Sequence, residues 1–264
     1  MPYRIHFPVI DHVEIDRLID LGAIDVDESG AGGVTALMPD SIPPQRIAHA
    51  IARHDFTVSP ALARDAGSVW ILGPRSFRVG RLRVAPSHAD PQPGALRLID
   101  APAFGTGLHP TTALCLEVID ELAQTGAPAR VLDVGTGSGI LALAALSLGV
   151  PRATAIDIDA EAVRAAAENA RLNGLRERLQ LVHGGVDALC GAWPLVLANV
   201  LAAPLIEMAP LLVRRVGHRG RLVLSGIPHA VAEDVSRAYR HLGMHPLGGA
   251  ARGDWRALLL QASW

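Results

Sequence analysis

Lysine is absent from this chain: all 24 of its basic residues are arginine. The abundance of Ala, Gly, Pro and Arg gives that absence a simple source in GC-rich coding. The two cysteines, Cys115 and Cys190, stand far apart with no metal-like spacing, which fits a reducing, cytoplasmic compartment. No apolar run approaches the roughly 18 residues of a membrane span, and the start, Met1-Pro-Tyr-Arg-Ile-His6, has no apolar signal core. Internal repeats and low-complexity tracts are also missing. These absences point away from membrane and secreted classes and toward a soluble protein.

What is present suits one large or two smaller domains: 264 residues, half of them hydrophobic. The near-neutral total hides an asymmetry. Residues 1–60 carry nine acids against four arginines, net −5, and the remainder of the chain is net +3. An acidic first module would attract a basic partner at long range. A merely solvated acidic surface is the plainer alternative.

Short apolar stretches organise the first sixty residues as βαββαβ. Strands are expected at 3–9, 23–27, 34–38 and 56–58, with helices at 13–21 and from Pro43-Pro44 through His54. The Gly-rich run at 28–33 reads as a turn. That order is a ferredoxin-like module. Residues 61–84 read as a linker rich in Ala, Gly, Pro and Arg, although 81–84 has strand character, as does 96–98.

Residues 85–264 form the second unit. From 131 the pattern alternates: strands at 131–135, 153–158, 179–183, 195–199 and 220–226, helices at 139–148, 160–172, 203–215 and 229–242. Such alternation predicts a parallel sheet covered by helices on both faces. The end departs from it, with strands at 244–250 and 255–262 joined by Arg252-Gly253-Asp254 as a hairpin. Seven strands in this arrangement predict an α/β, Rossmann-like domain of the class I methyltransferase type behind the small α+β module.

Two loops flank the first helix of that unit. The second loop, Val131-Leu-Asp-Val-Gly-Thr-Gly-Ser-Gly139, leaves an apolar strand and opens an alanine-rich helix. Glycine there permits a sharp turn and close approach of a ligand. A dinucleotide fingerprint would place its third glycine at 140, where Ile140 stands; instead it falls at Gly139, and Asp133 precedes Gly135 by two. Acid-x-Gly-x-Gly-x-Gly resembles methyltransferase motif I, and Asp133 matches the acid near the cofactor's amino-acid end. Asp157 ends the next strand, where a carboxylate can accept from both ribose hydroxyls. Asp159 is better placed to cap the following helix. Asn199 follows four apolar residues at the end of the fourth strand, on the border of the ligand crevice; capping of the next helix is its plainer role. The Asn-Pro-Pro-Tyr run common in amino-methyltransferases does not follow it, which argues against adenine-N6 and glutamine-N5 types.

The first loop, Ala103-Phe-Gly-Thr-Gly-Leu-His-Pro-Thr-Thr112, is less common. Pro110 and the two threonines after it begin a helix, and helix capping alone does not account for Phe104-Gly-Thr-Gly. Together with the motif I loop and Asn199-Val-Leu-Ala-x-Pro204, it resembles the bacterial methyltransferases of ribosomal protein L11. The resemblance covers about residues 85–264; the first module fits by architecture. It implies that the module recognises the ribosomal protein, and that the second domain methylates lysine side chains and the N-terminal amine from S-adenosylmethionine. The family's cofactor contacts carry over onto Thr112, Gly135, Asp157 and Asn199. Asp133, Gly137, Phe104 and Thr106 join the same site, and the Phe104 loop corresponds to a mobile cover. Asn199, at the acceptor mouth, would orient the amine and so carry the catalytic role. His109 is the nearest candidate base and reads rather as a structural loop residue. The expected partner is a basic ribosomal protein, met by a monomer without nucleic acid. Methylation of another protein's lysines, or S-adenosylmethionine binding without turnover, stay open beside it. RNA methylation is disfavoured by the acidic module. An amine-modifying enzyme that spares itself is a second account of the missing lysine.

Overall fold

The computed structural model describes residues 3–23, 25–27, 33–39, 42–60, 76–99, 105 and 107–264. The first module contains β1 (Tyr3–Phe7), α1 (His12–Leu21), β2 (Asp25–Asp27), β3 (Val34–Met38), α2 (Pro44–Ile51) and β4 (Thr57–Pro60). Its antiparallel sheet runs β2-β3-β1-β4, the ferredoxin-like order. Local chemistry sets the boundaries of α1. Asp11 accepts from Glu14 N at 2.8 Å while its own N–H donates to Glu14 Oε2 at 3.0 Å, a reciprocal capping box. Gly22, at φ 104°, ends the helix in a left-handed cap that costs glycine little. Ile15, Leu18 and Ile19 of α1 and Ile47 and Ile51 of α2 then pack on Ile5 and Phe7 of the sheet. The second helix is shorter than expected because Ala52 turns left-handed, at φ 55°, and stops it at Ile51.

The second unit is built on seven strands: β8 (Arg130–Val134), β9 (Arg152–Asp157), β10 (Leu179–His183), β11 (Trp193–Asn199), β12 (Val216–Pro228), β13 (Met244–Arg252) and β14 (Trp255–Ala262). Their order is β10-β9-β8-β11-β12-β14-β13. The first five are parallel, and β14 runs antiparallel to both neighbours. Helices α3 (Pro110–Gly126), α4 (Ile140–Ser147), α5 (Ala160–Leu172), α6 (Ala202–Glu207), α7 (Ala209–Arg214) and α8 (Ala232–Arg240) cover it. One core packs α3 and α4 on one face, and another packs α6, α7 and α8 on the other. Chain crossings diverge on either side of β8, so a crevice opens at the carboxyl ends of β8, β9 and β11. The helix expected at 203–215 is two, meeting at Met208, because Pro210 has no N–H to continue the ladder.

Residues 77–84, expected within the linker, belong to the second unit. They hold β5 (Phe77–Val79) and most of β6 (Leu82–Pro86), which with β7 (Ala95–Leu98) make a small sheet ordered β5-β6-β7. Val79, Leu82 and Val84 share the core of α3 and α4. Arg81 Nε bonds Asp120 Oδ1 of α3 at 2.7 Å. Gly80, at φ 53°, lets that turn approach: a Cβ there would lie 2.1 Å from Asp120 Oδ2. On the other side of the sheet, Asn173 accepts from Arg97 N and donates to Arg97 O, at 2.8 and 2.7 Å. One helical turn earlier, Asn169 accepts from Ile99 N at 2.8 Å and donates to Ser138 O at 2.9 Å. The remainder of the expected linker, 61–75, lies outside the described residues.

Candidate active site

The loop after β8 takes left-handed backbone at Gly135, Gly137 and Gly139, with φ of 68°, 54° and 84°. Only glycine adopts such a run cheaply. Gly135 N and Thr136 N both donate to Ile156 O of β9, at 2.9 and 3.1 Å, so the loop is pinned to the neighbouring strand. Gly139 caps α4 without a side chain, and the first turn of that helix is satisfied from its neighbours instead: Ile140 N donates to Ser138 Oγ at 3.3 Å and Ala142 N to Asp133 Oδ2 at 3.2 Å.

Asp133 is fully buried beneath this loop. Its Oδ2 accepts from Thr136 Oγ1 at 2.6 Å and from Ala142 N at 3.2 Å, whereas Oδ1 is buried with no hydrogen-bond partner among the described residues. Burial raises the carboxyl pKa to about 6, against the opposing pull of those two bonds. Asp157, half-buried at the end of β9, accepts from Gly137 N at 2.9 Å through Oδ2 and from Asp159 N at 3.0 Å through Oδ1. Each oxygen keeps a second lone pair for a ligand. Asp159 caps α5 by accepting from Glu161 N at 2.8 Å, the role expected for it.

Across β8 the end of β11 brings in Asn199. It is nearly buried, and its Nδ2 donates to Thr112 Oγ1 of α3 at 3.2 Å. Val200, next along the chain, is gripped by two glycines. A Cβ at Gly135 would lie 2.6 Å from Val200 Cγ1, and one at Gly226 would lie 2.2 Å from Val200 O. Ser225, paired in register with Asn199, is fully buried and donates to Thr111 O at 2.9 Å. The first turn of α3 is thereby held over the ends of β11 and β12.

His109 is the N-cap of α3. It accepts from Thr111 N at 3.3 Å through Nδ1, which also lies 2.8 Å from Thr111 Oγ1. Burial lowers its pKa to about 4, so the imidazole is neutral at pH 7 and carries its proton on Nε2. Its ring meets Trp255 edge-to-face, centroids 5.1 Å apart. Of the loop before it, Gly105 O accepts from Ser138 Oγ, and a Cβ at Gly107 would lie 2.1 Å from Phe77 Cζ. Phe104 and Thr106 lie outside the described residues.

The structure therefore brings Asp133, Gly135, Gly137, Asp157, Thr112 and Asn199 together at the carboxyl ends of β8, β9 and β11 and the first turn of α3. Ser225, Asn169 and Trp255 were missed. Ser225 carried the same signal as Asn199, a polar residue closing the apolar run Leu222-Val-Leu224. Asn169 and Trp255 act across long sequence separations that no local pattern marks.

The profile of the family described as "Ribosomal protein L11 methyltransferase (PrmA)" matches residues 65–263. A Myxococcus xanthus protein named "Ribosomal protein L11 methyltransferase" is 40% identical over 219 residues, covering 81% of this chain and 75% of its own. One of the same name from Pseudomonas paraeruginosa is 40% identical over 244 residues, 90% of this chain and 78% of its own. The crystal structure of a ribosomal protein L11 methylase from Lactobacillus delbrueckii subsp. bulgaricus aligns with TM-score 0.65 at 32% identity, covering 72% of this chain and 99% of its own.

Proposed function

Since this chain belongs to the ribosomal protein L11 methyltransferase family, we propose that it transfers methyl groups from S-adenosylmethionine to lysine side-chain or N-terminal amines of ribosomal protein L11. One observation carries the cofactor half: the buried, unpartnered Oδ1 of Asp133 lies beside a carboxylate, Asp157, that ends the neighbouring strand. The first suits an ammonium and the second suits vicinal ribose hydroxyls, so the residues fit S-adenosylmethionine. Gly135 and Gly137 would admit the ligand close to the backbone, and Thr112 and Asn199 would border it from the other side. When bound, S-adenosylmethionine supplies a sulfonium methyl group already activated for transfer.

The protein's work is then to align and deprotonate the acceptor. Reacting atoms must stand about 3–3.5 Å apart, with the amine lone pair opposite the leaving sulfur. A lysine amine with pKa near 10.4 is neutral in only about one molecule in two thousand at pH 7. A partly desolvated site lowers that pKa, and an α-amine near 7.7–8.0 starts closer. Asn199 Nδ2 is committed to Thr112. Its amide oxygen is thus the end that accepts from an amine N–H and fixes its direction. His109 is held neutral with Nδ1 turned to Thr111, so the proton departs to solvent rather than to this imidazole. The first module, net −5 over residues 1–60, would draw a basic ribosomal protein toward the site.

The test incubates the protein with isotope-labelled S-adenosylmethionine and purified ribosomal proteins, followed by mass spectrometry. Label is expected on amines of L11; label on a different protein and none on L11 would sink the proposal.

A further inference from the structure

The two modules meet at the tip of the β13–β14 hairpin. Two glycines with positive φ make the approach close. A Cβ at Gly253, φ 55°, would lie 3.1 Å from Asp20 O, and one at Gly22, φ 104°, would lie 3.2 Å from Trp255 Nε1. Ion pairs flank this contact: Arg46 with Asp254 at 3.4 Å, and Arg252 with Asp20 at 3.7 Å. Arg252 also reaches Glu117 of α3 at 2.6 Å. These pairs are largely solvated and add little energy. The glycine-permitted backbone contact gives the seat its geometry.

Trp255 has a second face. Its ring stands edge-to-face with His109, interplanar angle 71°. His109 caps α3 through Thr111 N, and the next residue, Thr112, bonds Asn199. A single half-buried indole thus touches the C-cap of α1 in one module and the N-cap of α3 in the other.

We propose that Trp255 is a positioning residue for the cofactor site: through it, the seat of the N-terminal module sets where His109 and the first turn of α3 lie. The inference rests on the assignment of Thr112 to the cofactor. It means that the N-terminal module, beside drawing the acceptor protein, is part of the wall that places the cofactor contacts.

The experiment measures binding of S-adenosylhomocysteine by calorimetry to full-length variants, so the identity of the acceptor protein does not enter. Trp255→Leu keeps bulk without an aromatic edge and is expected to weaken binding about tenfold; Trp255→Phe keeps the edge and stays within about threefold of the parent. Gly22→Ala presses on the indole from the other module and is expected to weaken binding about threefold, with an unchanged thermal midpoint for the catalytic unit. In turnover, Trp255→Leu raises the KM for S-adenosylmethionine while kcat at saturation stays within about threefold. Unchanged affinity in Trp255→Leu, or equal losses in the Leu and Phe variants, overturns the proposal. Thr112→Ala serves as the reference. If it too leaves binding untouched, the assignment of Thr112 fails first and takes this inference with it.

Discussion

Asn199 and Thr112 are 87 positions apart in sequence and share a buried hydrogen bond of 3.2 Å, from the amide Nδ2 to the hydroxyl. That bond ties the end of β11 to the first turn of α3, and it orients the amide oxygen that we assign to the acceptor amine. Asn199→Ala removes both functions. It is expected to lower kcat about a hundredfold, as misplacement of a reacting group does. Single-turnover methylation of L11 checks this; an undiminished rate would remove Asn199 from the mechanism.

Asp157 serves the loop and the ligand together. Asp157→Ala strips acceptors from Gly137 N and Asp159 N as well as from the ribose. Loss of charge-assisted bonds worth about 1.5–3 kcal/mol each predicts at least a hundredfold weaker S-adenosylhomocysteine binding. Calorimetry with equal affinity in parent and variant would refute the ribose role.

Asp133 predicts a pH dependence of definite sign. Its folded pKa, about 6, lies above the ordinary carboxyl value of 3.8, so the folded state holds the proton more tightly. The stabilisation is fully present below the unfolded pKa and fades as pH rises through about 6, for a total on the order of 3 kcal/mol. Asp133→Asn should therefore be more stable than the parent in urea melts at pH 7.5 and lose that advantage near pH 4. Ligand binding has the opposite slope. An ammonium beside Oδ1 favours the ionised carboxylate, so S-adenosylhomocysteine affinity should fall as pH drops below 6 in the parent and stay flat in the variant. Parallel slopes for the two proteins would contradict this.

Arg81 tests the boundary between the units. Asp120 is buried and takes three of its bonds from Arg81 N, Arg81 Nε and Gln124 Nε2. Arg81→Ala leaves that carboxylate short of its charged donor, at a cost of about 1–3 kcal/mol. A matching drop in the urea midpoint of the catalytic unit is expected. If residues 77–84 were a loose tether, the midpoint would not move.

Those residues also show what a sequence can and cannot reveal. The strands of the large sheet, the Asp159 cap and the three glycines were legible because each is written in local spacing: an apolar run, a cap, a turn. Pro210 announced the break between α6 and α7, yet the helical period on both sides masked it. The membership of β5 and β6 in the catalytic core depends on Asp120, roughly forty residues downstream, and on the glycine that lets the two approach. Ser225 and Asn199 look alike in sequence, and only pairing of β11 with β12 reveals that they brace the same helix turn.

Asn169 and Asn173 do for β7 what another strand would do: from the last turn of α5 and the residue that caps it, they occupy the outward N–H and C=O groups of Arg97 and the N–H of Ile99. An open strand edge is a template for misassembly. Here the guard is a helix, so the edge is only as safe as that helix is folded. Heating that frays α5 before the rest of the domain would bare a sticky rim, and the first turbidity in a concentrated sample would then report local unravelling of one helix rather than collapse of the whole protein.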